Sequence, residues 1–252
     1  EPLAGHFRVF APDWPGYGES GRPTIRYTMD FFIRFLGDFM GALDIPAASL
    51  AGVSMGGGIA LGFALQSPDR VRKLVLVDSY GLQPAAPFHK LSYIFVRLPW
   101  VNELAWAMIR HSRAMARLSL QNIFYRPAAI SEGLAEEVFA EVQKPRAGHA
   151  FISFQKDEVA WRGLRTVYMD RLHELKVPTL IVHGEKDRLV PLQYARQAHQ
   201  RIRGSRLYVI PECGHWPQRE KPEEFTRVLL DFLREGEESG GYTELRFEEA
   251  DP

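Results

Sequence analysis

The sequence predicts an α/β fold with a mostly parallel central sheet, helices on both faces of the sheet and a helical cap insertion. Two observations lead to this prediction. Short strand-like runs alternate with helix-like runs in both the first and the last third of the chain, which is the pattern of a parallel sheet. Between them the alternation stops, and residues 84–164 contain helix-like patterns only. We therefore expect one core built from two stretches of chain, with a cap inserted between them.

The composition is that of a globular enzyme. The chain has 252 residues, 46% of them apolar, which is enough for one sizeable core. It carries 31 basic and 31 acidic residues, so it lacks the electrostatic footprint of a nucleic-acid-binding protein. The single cysteine, Cys213, excludes an intrachain disulfide, and charged and polar residues interrupt the most apolar stretch, residues 91–109, so we expect no membrane span. We expect a cytoplasmic protein without a cofactor, whose oligomeric state stays open.

The first core segment is residues 1–83. Thr28 suits a helix N-cap, and the phenylalanines that follow it recur at helical spacing. The apolar runs on either side of a glycine-rich helix read as buried strands. The predicted elements are strand 7–11, helix 28–43, strand 48–53 and strand 73–77.

The cap is predicted to span residues 84–164, with helices over 100–115, 132–142 and 151–159. An insertion at the carboxyl edge of the sheet lies where ligands bind in open α/β folds. Most of its aromatic side chains are expected to pack internally, and the rest would line a pocket for a small hydrophobic substrate. The candidate pocket residues are Phe95, Trp106, Phe151, Trp161 and, beyond the cap, Trp216. The histidines of this region lack metal-ligand spacing, so we expect no metal site.

The second core segment is residues 165–234, and it returns to the alternating pattern. Its predicted elements are strand 179–184, helix 191–201, strand 206–210 and helix 222–233. Residues 235–252 hold seven acidic residues and one arginine, and we expect them to form a solvated, flexible tail.

The pentapeptide Gly52-Val53-Ser54-Met55-Gly56 has the form G-x-S-x-G and stands between a predicted strand and a predicted helix. This context is typical of a nucleophile elbow, which holds a serine at the tip of a strained turn and needs small neighbours on both sides, here Gly52 and Gly56. Ser54 is therefore the candidate nucleophile. The backbone N–H of Met55, at the start of the helix, is the candidate donor to an oxyanion.

Two further residues complete a candidate triad. Asp187 follows the strand 179–184, and His215 follows the strand 206–210. The chain order is serine, aspartate, histidine, and the acid and the base each come just after a strand. This is the order and placement that the α/β-hydrolase arrangement requires. Asp78 also ends a strand and is the rival acid, ranked below Asp187. Asp13 is expected to organise its loop as a hydrogen-bond acceptor.

Four segments resemble landmarks of the α/β-hydrolase superfamily. They are A-P-D-W-P-G-Y-G-E-S at 11–20, G-V-S-M-G-G at 52–57, H-G-E-K-D-R-L-V-P at 183–191 and C-G-H-W-P at 213–217. The resemblance covers residues 5–234 and implies a capped hydrolase with the triad Ser54, Asp187 and His215. In that family further strands, one of them central, precede the strand at 7–11, and their loop supplies the second oxyanion N–H. We therefore interpret the chain as a fragment that lacks this donor, and we expect it to fold and act poorly by itself.

The resemblance leaves three functions open. The default is a serine hydrolase that cleaves a small or medium hydrophobic carboxylic ester through an acyl-enzyme. The alternative is a C–C bond hydrolase of ring-cleavage diketones, which G-H-W-P-Q at 214–218 favours, although Val53 stands where that subfamily usually carries asparagine. A ligand-sensing receptor with little turnover is the alternative from another class.

Overall fold

The computed structural model of the protein describes residues 2–235. Its strands are β1 (Ala48–Val53), β2 (Val71–Val77), β3 (Val159–Ala160), β4 (Gly163–Leu164), β5 (Thr179–Gly184) and β6 (Arg206–Ile210). Its helices are α1 (Met29–Ala42), α2 (Met55–Gln66), α3 (His89–Arg97), α4 (Pro99–His111), α5 (Arg113–Ser119), α6 (Glu132–Gln143), α7 (His149–Glu158), α8 (Leu192–Arg201), α9 (Pro217–Glu220) and α10 (Pro222–Arg234).

The main sheet has the order β1-β2-β5-β6, and each neighbouring pair is parallel. The last residues of adjacent strands lie side by side, with Val53 opposite Val77 and Gly184 opposite Ile210. All four carboxyl ends therefore lie at one edge of the sheet. This confirms the predicted α/β architecture, and it places the residues that follow each strand next to one another.

Helices cover both faces of the sheet because successive side chains of a strand point to opposite sides. Leu74 and Leu76 of β2 are buried in one cluster together with side chains from α1, α2 and α8. Val75 and Val77 are buried in a second cluster with α10. A strand that is buried on both faces is a continuous apolar run, and this is why β2 and β5 could be recognised in the sequence.

The start of α1 agrees with the predicted one because a capping side chain fixes it. The Thr28 hydroxyl accepts a hydrogen bond from the N–H of Phe31 at 3.1 Å, and α1 begins at Met29. The Asp13 carboxylate accepts from the N–H of Glu19 at 2.8 Å, which is the loop-organising contact expected of it.

The predicted strand at 7–11 is wrong. Residues 8–11 form no sheet hydrogen bonds in the structure. Phe10 instead packs edge-on against Phe39 of α1, with ring centroids 6.4 Å apart, and stays partly exposed. A strand needs a neighbour for its backbone groups, and none of the strands within residues 2–235 pairs with this segment.

The cap differs from its prediction in three details, the first of which is that α3 was not among the predicted helices. The helix predicted over 100–115 is divided into α4 and α5, because Ser112 adopts an extended conformation and its side chain caps α5 by accepting from the N–H of Met115 at 3.2 Å. The segment also contains two strands, since β3 and β4 form a short antiparallel hairpin. The cap helices α3–α7 lie between β2 and β5 in the chain, as the sequence predicts.

Glu158, at the end of α7, ties the cap to the core. Its buried carboxylate accepts hydrogen bonds from the Tyr80 hydroxyl at 2.9 Å and from the backbone N–H and hydroxyl of Thr166 at 3.1 and 2.8 Å. Burial raises the pKa of Glu158, and these hydrogen bonds oppose the rise. Tyr80 follows β2, and its N–H donates to the carbonyl of Ser54 at 2.9 Å. One buried network thus joins the cap to the elbow.

We expect Glu158→Ala to lower the free energy of unfolding by about 2–4 kcal/mol, because it leaves the Tyr80 hydroxyl and the Thr166 donors buried without an acceptor. The change is measured by denaturant unfolding. The matched control is Glu136→Ala, which removes an ion pair to Arg113 in which both side chains are about half exposed or more, and which we expect to cost less than about 1 kcal/mol. Equal effects of the two changes would contradict the role assigned to Glu158.

The predicted acidic tail, 235–252, lies outside the described residues except for Glu235. Across the part of the chain that is described, no helix is both long and apolar enough to cross a membrane.

Candidate active site

Ser54 occupies a sharp turn between β1 and α2. β1 ends at Val53 and α2 begins at Met55, and Ser54 itself has φ 51° and ψ −119°. A positive φ is unfavourable for a residue with a side chain, and the neighbouring strand holds it in place. The N–H of Ser54 donates to the carbonyl of Val77 at 2.9 Å, and its carbonyl accepts from the N–H of Tyr80. This is the strained strand-to-helix turn expected of a nucleophile elbow.

The turn requires glycine at two positions, and one of them differs from the prediction. A Cβ on Gly52 would lie 2.2 Å from the carbonyl oxygen of Gly56, so Gly52 is required as expected. A Cβ on Gly56 would contact nothing within 4 Å, so the prediction that Gly56 must be small for steric reasons is wrong. The second required glycine is Gly57, where a Cβ would lie 2.5 Å from the Ser79 hydroxyl. The S-M-G-G run contained this signal, but the spacing G-x-S-x-G drew attention to the wrong glycine.

His215 and Asp187 are in direct contact. The Nδ1 atom of His215 lies 2.7 Å from Oδ2 of Asp187, and both side chains are buried. An ionised carboxylate can only accept, so Nδ1 carries the proton, and Nε2 is left as the basic nitrogen. The other oxygen of Asp187 accepts from the N–H groups of Leu189 and Val190 at 2.7 and 3.1 Å, which fixes the orientation of the carboxylate.

The charge on Asp187 is stabilised by its surroundings. Burial by itself raises the pKa of Asp187, but the hydrogen bond from His215, the electrostatic influence of His215 and His183 and the hydrogen bond from Leu189 outweigh it, and the net pKa is lowered. Asp187 is thus an anion across the neutral range, as an acid that orients a histidine must be.

The loop that carries His215 is fixed by contacts that the sequence analysis missed. The Glu220 carboxylate accepts from the N–H of Gly214 at 2.8 Å and from the N–H of Tyr125 in the cap at 2.9 Å. The N–H of His215 donates to the carbonyl of Ile123 at 2.7 Å. The cap therefore helps to position the histidine. A glutamate five residues after a candidate base was the available signal for this role.

The structure does not join all three triad candidates. Ser54 follows β1, Asp187 follows β5 and His215 follows β6, so all three lie at the carboxyl edge of the sheet. Within residues 2–235 the Ser54 hydroxyl makes no hydrogen bond, whereas His215 is paired with Asp187. Hydrogen bonds of this kind are often long in ligand-free sites and tighten when substrate binds. Met55 is the first residue of α2, where backbone N–H groups lack intrahelical acceptors.

Asp78, the rival acid, lies behind this pair. It is fully buried, and its Oδ1 atom accepts from the N–H of Gly184 at 2.9 Å. Burial raises the pKa of Asp78 well above the usual range, and the negative charge of Asp187 raises it further. Two carboxyl groups this close do not both ionise readily. The pKa of Asp78 is therefore shifted in the opposite direction to that of Asp187, and the surroundings favour Asp187 as the ionised acid.

The same residues are the candidates for binding a metal. Among the described residues, one trio of possible ligands, Asp78, Asp187 and His215, has donor atoms within 4.8 Å of one another. His215 is bonded to Asp187, and Oδ1 of Asp78 accepts from Gly184, whereas Oδ2 of Asp78 is buried without a hydrogen-bond partner among the described residues. The expectation of a site that works without metal or cofactor stays a prediction.

Three of the candidate pocket residues lie on the outside of the cap. Phe95, Phe151 and Trp161 are each about half exposed. The Trp161 ring packs edge-on against Tyr93 of α3 at 5.2 Å. Their assignment to a substrate pocket stays a prediction.

The other two pocket candidates are partly buried. Trp106 covers the backbone at Gly148 and lines a groove of about 640 Å³ between α4 and α7, which none of the three triad candidates lines. Trp216 packs edge-on against Phe124 of the cap, with ring centroids 6.1 Å apart. Because Trp216 directly follows His215, it is the pocket candidate that the chain itself holds next to the base.

The arrangement has the chemical parts for acyl transfer. It combines a hydroxyl at a strained turn, an imidazole whose tautomer is fixed by a carboxylate, and unpaired N–H groups at a helix start. A neutral hydroxyl is a poor nucleophile at pH 7, and a nearby base that accepts its proton corrects this.

The family model, the related sequences and the solved structure to which this chain is similar are all hydrolases. Residues 1–228 match the alpha/beta hydrolase family. The chain is 31% identical over 233 residues to 2-hydroxy-6-oxo-2,4-heptadienoate hydrolase of Pseudomonas putida, covering 92% of this chain and 80% of that protein. It is 32% identical over 240 residues to 2-hydroxy-6-oxo-6-phenylhexa-2,4-dienoate hydrolase of Burkholderia cepacia, covering 93% and 79%. A solved meta-cleavage product hydrolase from Pseudomonas fluorescens is similar in structure, with a TM-score of 0.77 at 26% identity, covering 93% of this chain and 82% of that one.

Proposed function

Because this chain belongs to the alpha/beta hydrolase family, we propose that it is a serine hydrolase that cleaves the carbon–carbon bond beside a ketone in a hydrophobic 2-hydroxy-6-oxo-dienoate. The observation that carries the proposal is the similarity of more than nine-tenths of the chain to hydrolases named for such compounds. The His215–Asp187 pair and the Ser54 turn supply the chemical groups that the reaction needs.

In the proposed reaction, the Ser54 oxygen forms a bond to the ketone carbon while His215 Nε2 takes the hydroxyl proton. The carbonyl electron pair moves to the oxygen, which the N–H of Met55 stabilises. The carbon–carbon bond breaks in the tautomer whose 2-hydroxyl proton has moved to the carbon next to the ketone, so that its electron pair is delocalised over the conjugated 2-oxo-enoate as a dienolate, which takes the proton from His215. Water hydrolyses the acyl-serine in a second, equivalent cycle. The sum is one ketone and one water giving a carboxylic acid and a protonated dienoate.

Asp187 has a stationary role in this scheme. It accepts from His215 Nδ1 throughout and stabilises the imidazolium that forms in each half-reaction, without taking the proton itself. Asp78 touches neither the substrate nor His215 Nε2 in the proposal, and its raised pKa opposes a second negative charge beside Asp187.

Hydrolysis of a hydrophobic carboxylic ester, the first expectation from the sequence, is the second candidate. Ester cleavage uses the same protein groups. The two reactions differ in the leaving group, because an ester releases an alkoxide, whose oxygen takes the electron pair without a conjugated system. One observation favours it: Val53, beside the nucleophile, replaces the asparagine usual in the C–C hydrolases. The names of the relatives support the carbon–carbon reading more strongly.

The two candidates are separated by steady-state kinetics on the purified protein. We expect a higher kcat/KM for 2-hydroxy-6-oxo-6-phenylhexa-2,4-dienoate, followed by loss of its visible absorbance, than for p-nitrophenyl butyrate. Ser54→Ala is the control in both assays, since it should abolish either reaction. Turnover of the ester alone would favour the second candidate, and turnover of neither substrate by a folded protein would favour the receptor interpretation.

A further inference from the structure

The cap helix α3 is oriented contrary to the usual pattern of a surface helix. Apolar side chains normally face the protein and polar ones face solvent. In α3, Leu91 and Ile94 are exposed, and no residue of the helix is buried. Two of its polar side chains are turned toward the protein instead: His89 Nε2 lies 2.6 Å from the carbonyl of Ala160, and Arg97 donates to the carbonyl of Val159 at 2.8 Å.

The exposed apolar surface extends beyond α3 on both sides. Phe88 directly before the helix is 85% exposed, and Trp100 and Leu104, one turn apart on α4, are 64% and 56% exposed. Trp161 of the hairpin loop is 54% exposed, and the Nζ atom of Lys90 in α3 lies 5.8 Å from the centre of its ring. We call the residues Phe88, Leu91, Ile94, Trp100, Leu104 and Trp161 the cap face. Exposed large apolar residues that follow one another along two helices mark an interaction surface.

The charge around the cap face is positive, although the whole chain is neutral. Residues 84–113 and 151–165, which carry the cap face and the helix α7 beside it, contain three acidic residues and seven lysines and arginines, of which Arg113 is paired with Glu136. Of the acidic ones, Glu158 is buried and Asp157 is paired with Arg26, which leaves Glu103 as the exposed acid of these two segments. Lys90, Lys156 and Arg162 are exposed.

We infer that the cap face docks on an anionic lipid surface. Tryptophan, phenylalanine and leucine surrounded by lysine and arginine is the composition of helices that lie in the boundary of a bilayer, with apolar side chains among the acyl chains and basic ones at the phosphates. The long lysine and arginine side chains can reach the headgroups while their stems stay in the apolar layer.

The charge distribution argues against a second copy of the chain as the occupant. In a two-fold symmetric dimer the same patch meets itself, so Lys90 and Arg162 would lie close to the basic residues of the other copy. Glu103 is the exposed acidic residue of these segments that could offset this positive charge. Like charges across an interface are unfavourable. An anionic surface is complementary both to the apolar residues and to this charge.

The test is co-sedimentation of the full chain with sucrose-loaded vesicles of phosphatidylcholine alone and of phosphatidylcholine with 30 mol% phosphatidylglycerol. We expect binding to the anionic vesicles that weakens as salt is raised. The triple variant L91S/I94S/W100S should bind at least about tenfold more weakly, because it removes most of the apolar surface that enters the lipid. The matched control is Leu43→Ser, an exposed leucine at the end of α1, which should bind as the unmodified protein does.

A charge variant separates the two parts of the interaction. K90E/R162E keeps the apolar residues and should remove the preference for anionic over neutral vesicles. Melting curves establish that each variant is folded. Absence of vesicle binding by the unmodified protein would overturn the inference, as would equal loss of binding in Leu43→Ser. A concentration-dependent dimer that the triple variant abolishes would also overturn it and would assign the cap face to a second copy.

Discussion

Ser54→Ala is expected to lower kcat on the preferred substrate by on the order of 10⁴–10⁶, while Tm changes by no more than a few degrees. The large kinetic effect follows because no other group in the proposal can form the acyl intermediate. The small stability effect follows because the Ser54 hydroxyl makes no hydrogen bond within residues 2–235, and the turn is held by the backbone bonds to Val77 and Tyr80.

Steady-state kinetics and a thermal melt measure both effects on the same preparation. A variant that keeps activity within about tenfold of the unmodified protein would remove Ser54 from the mechanism. A variant that loses activity together with its cooperative melt would show that the side chain supports the fold.

Asp187→Asn and Asp78→Asn form a matched pair with unequal expected effects. The amide at 187 can present a donor to His215 and favour the wrong tautomer, so we expect kcat to fall by on the order of 10⁴. The amide oxygen at 78 can still accept from the N–H of Gly184. We therefore expect Asp78→Asn to lower kcat by less than about tenfold, outside the range of a lost acid–base group.

Kinetics near pH 7.5, with circular dichroism to establish folding, measure this pair. A larger loss in Asp78→Asn than in Asp187→Asn would exchange the roles of the two carboxyls.

The pH dependence of stability gives an independent check. Because the Asp187 pKa is lowered in the folded protein, its ionised form stabilises the fold above its unfolded-state pKa, and this contribution is lost as the pH falls through the folded-state pKa. In Asp187→Asn the free energy of unfolding should therefore decrease less as the pH falls than it does in the unmodified protein.

The sequence predicts those parts of the structure that depend on local chemistry. β2 and β5 were recognisable because strands buried on both faces are continuous apolar runs, and α1 because Thr28 caps it. The contact of Asp187 with His215 was foreseeable from their order and their places after two strands that turn out to be neighbours.

Features that depend on distant partners were not accessible in this way. Residues 7–11 have a strand-like composition, but pairing depends on a neighbour, and the segment packs on α1 instead. The requirement for Gly57 arises from the Ser79 hydroxyl, and the raised pKa of Asp78 from its burial beside Asp187. Glu220 was missed because its partners, Gly214 and Tyr125, come from two separate segments.

The outward apolar face of α3 shows a further limit. The helix α3 was not among the predicted helices, and the apolar side of a surface helix normally packs inward. The inward positions are instead occupied by polar side chains that bond the backbone carbonyls of Ala160 and Val159. Only the three-dimensional arrangement reveals this inversion.

The central claim is that Ser54 is a nucleophile activated by His215, and covalent labelling tests it most directly. The purified protein is treated with a fluorophosphonate probe, and its peptides are analysed by mass spectrometry. We predict one phosphonyl group per chain, on Ser54, with no labelling of Ser54→Ala and much slower labelling of His215→Ala. An intact, folded protein that stays unlabelled, or that carries the group on a different serine, would contradict the account.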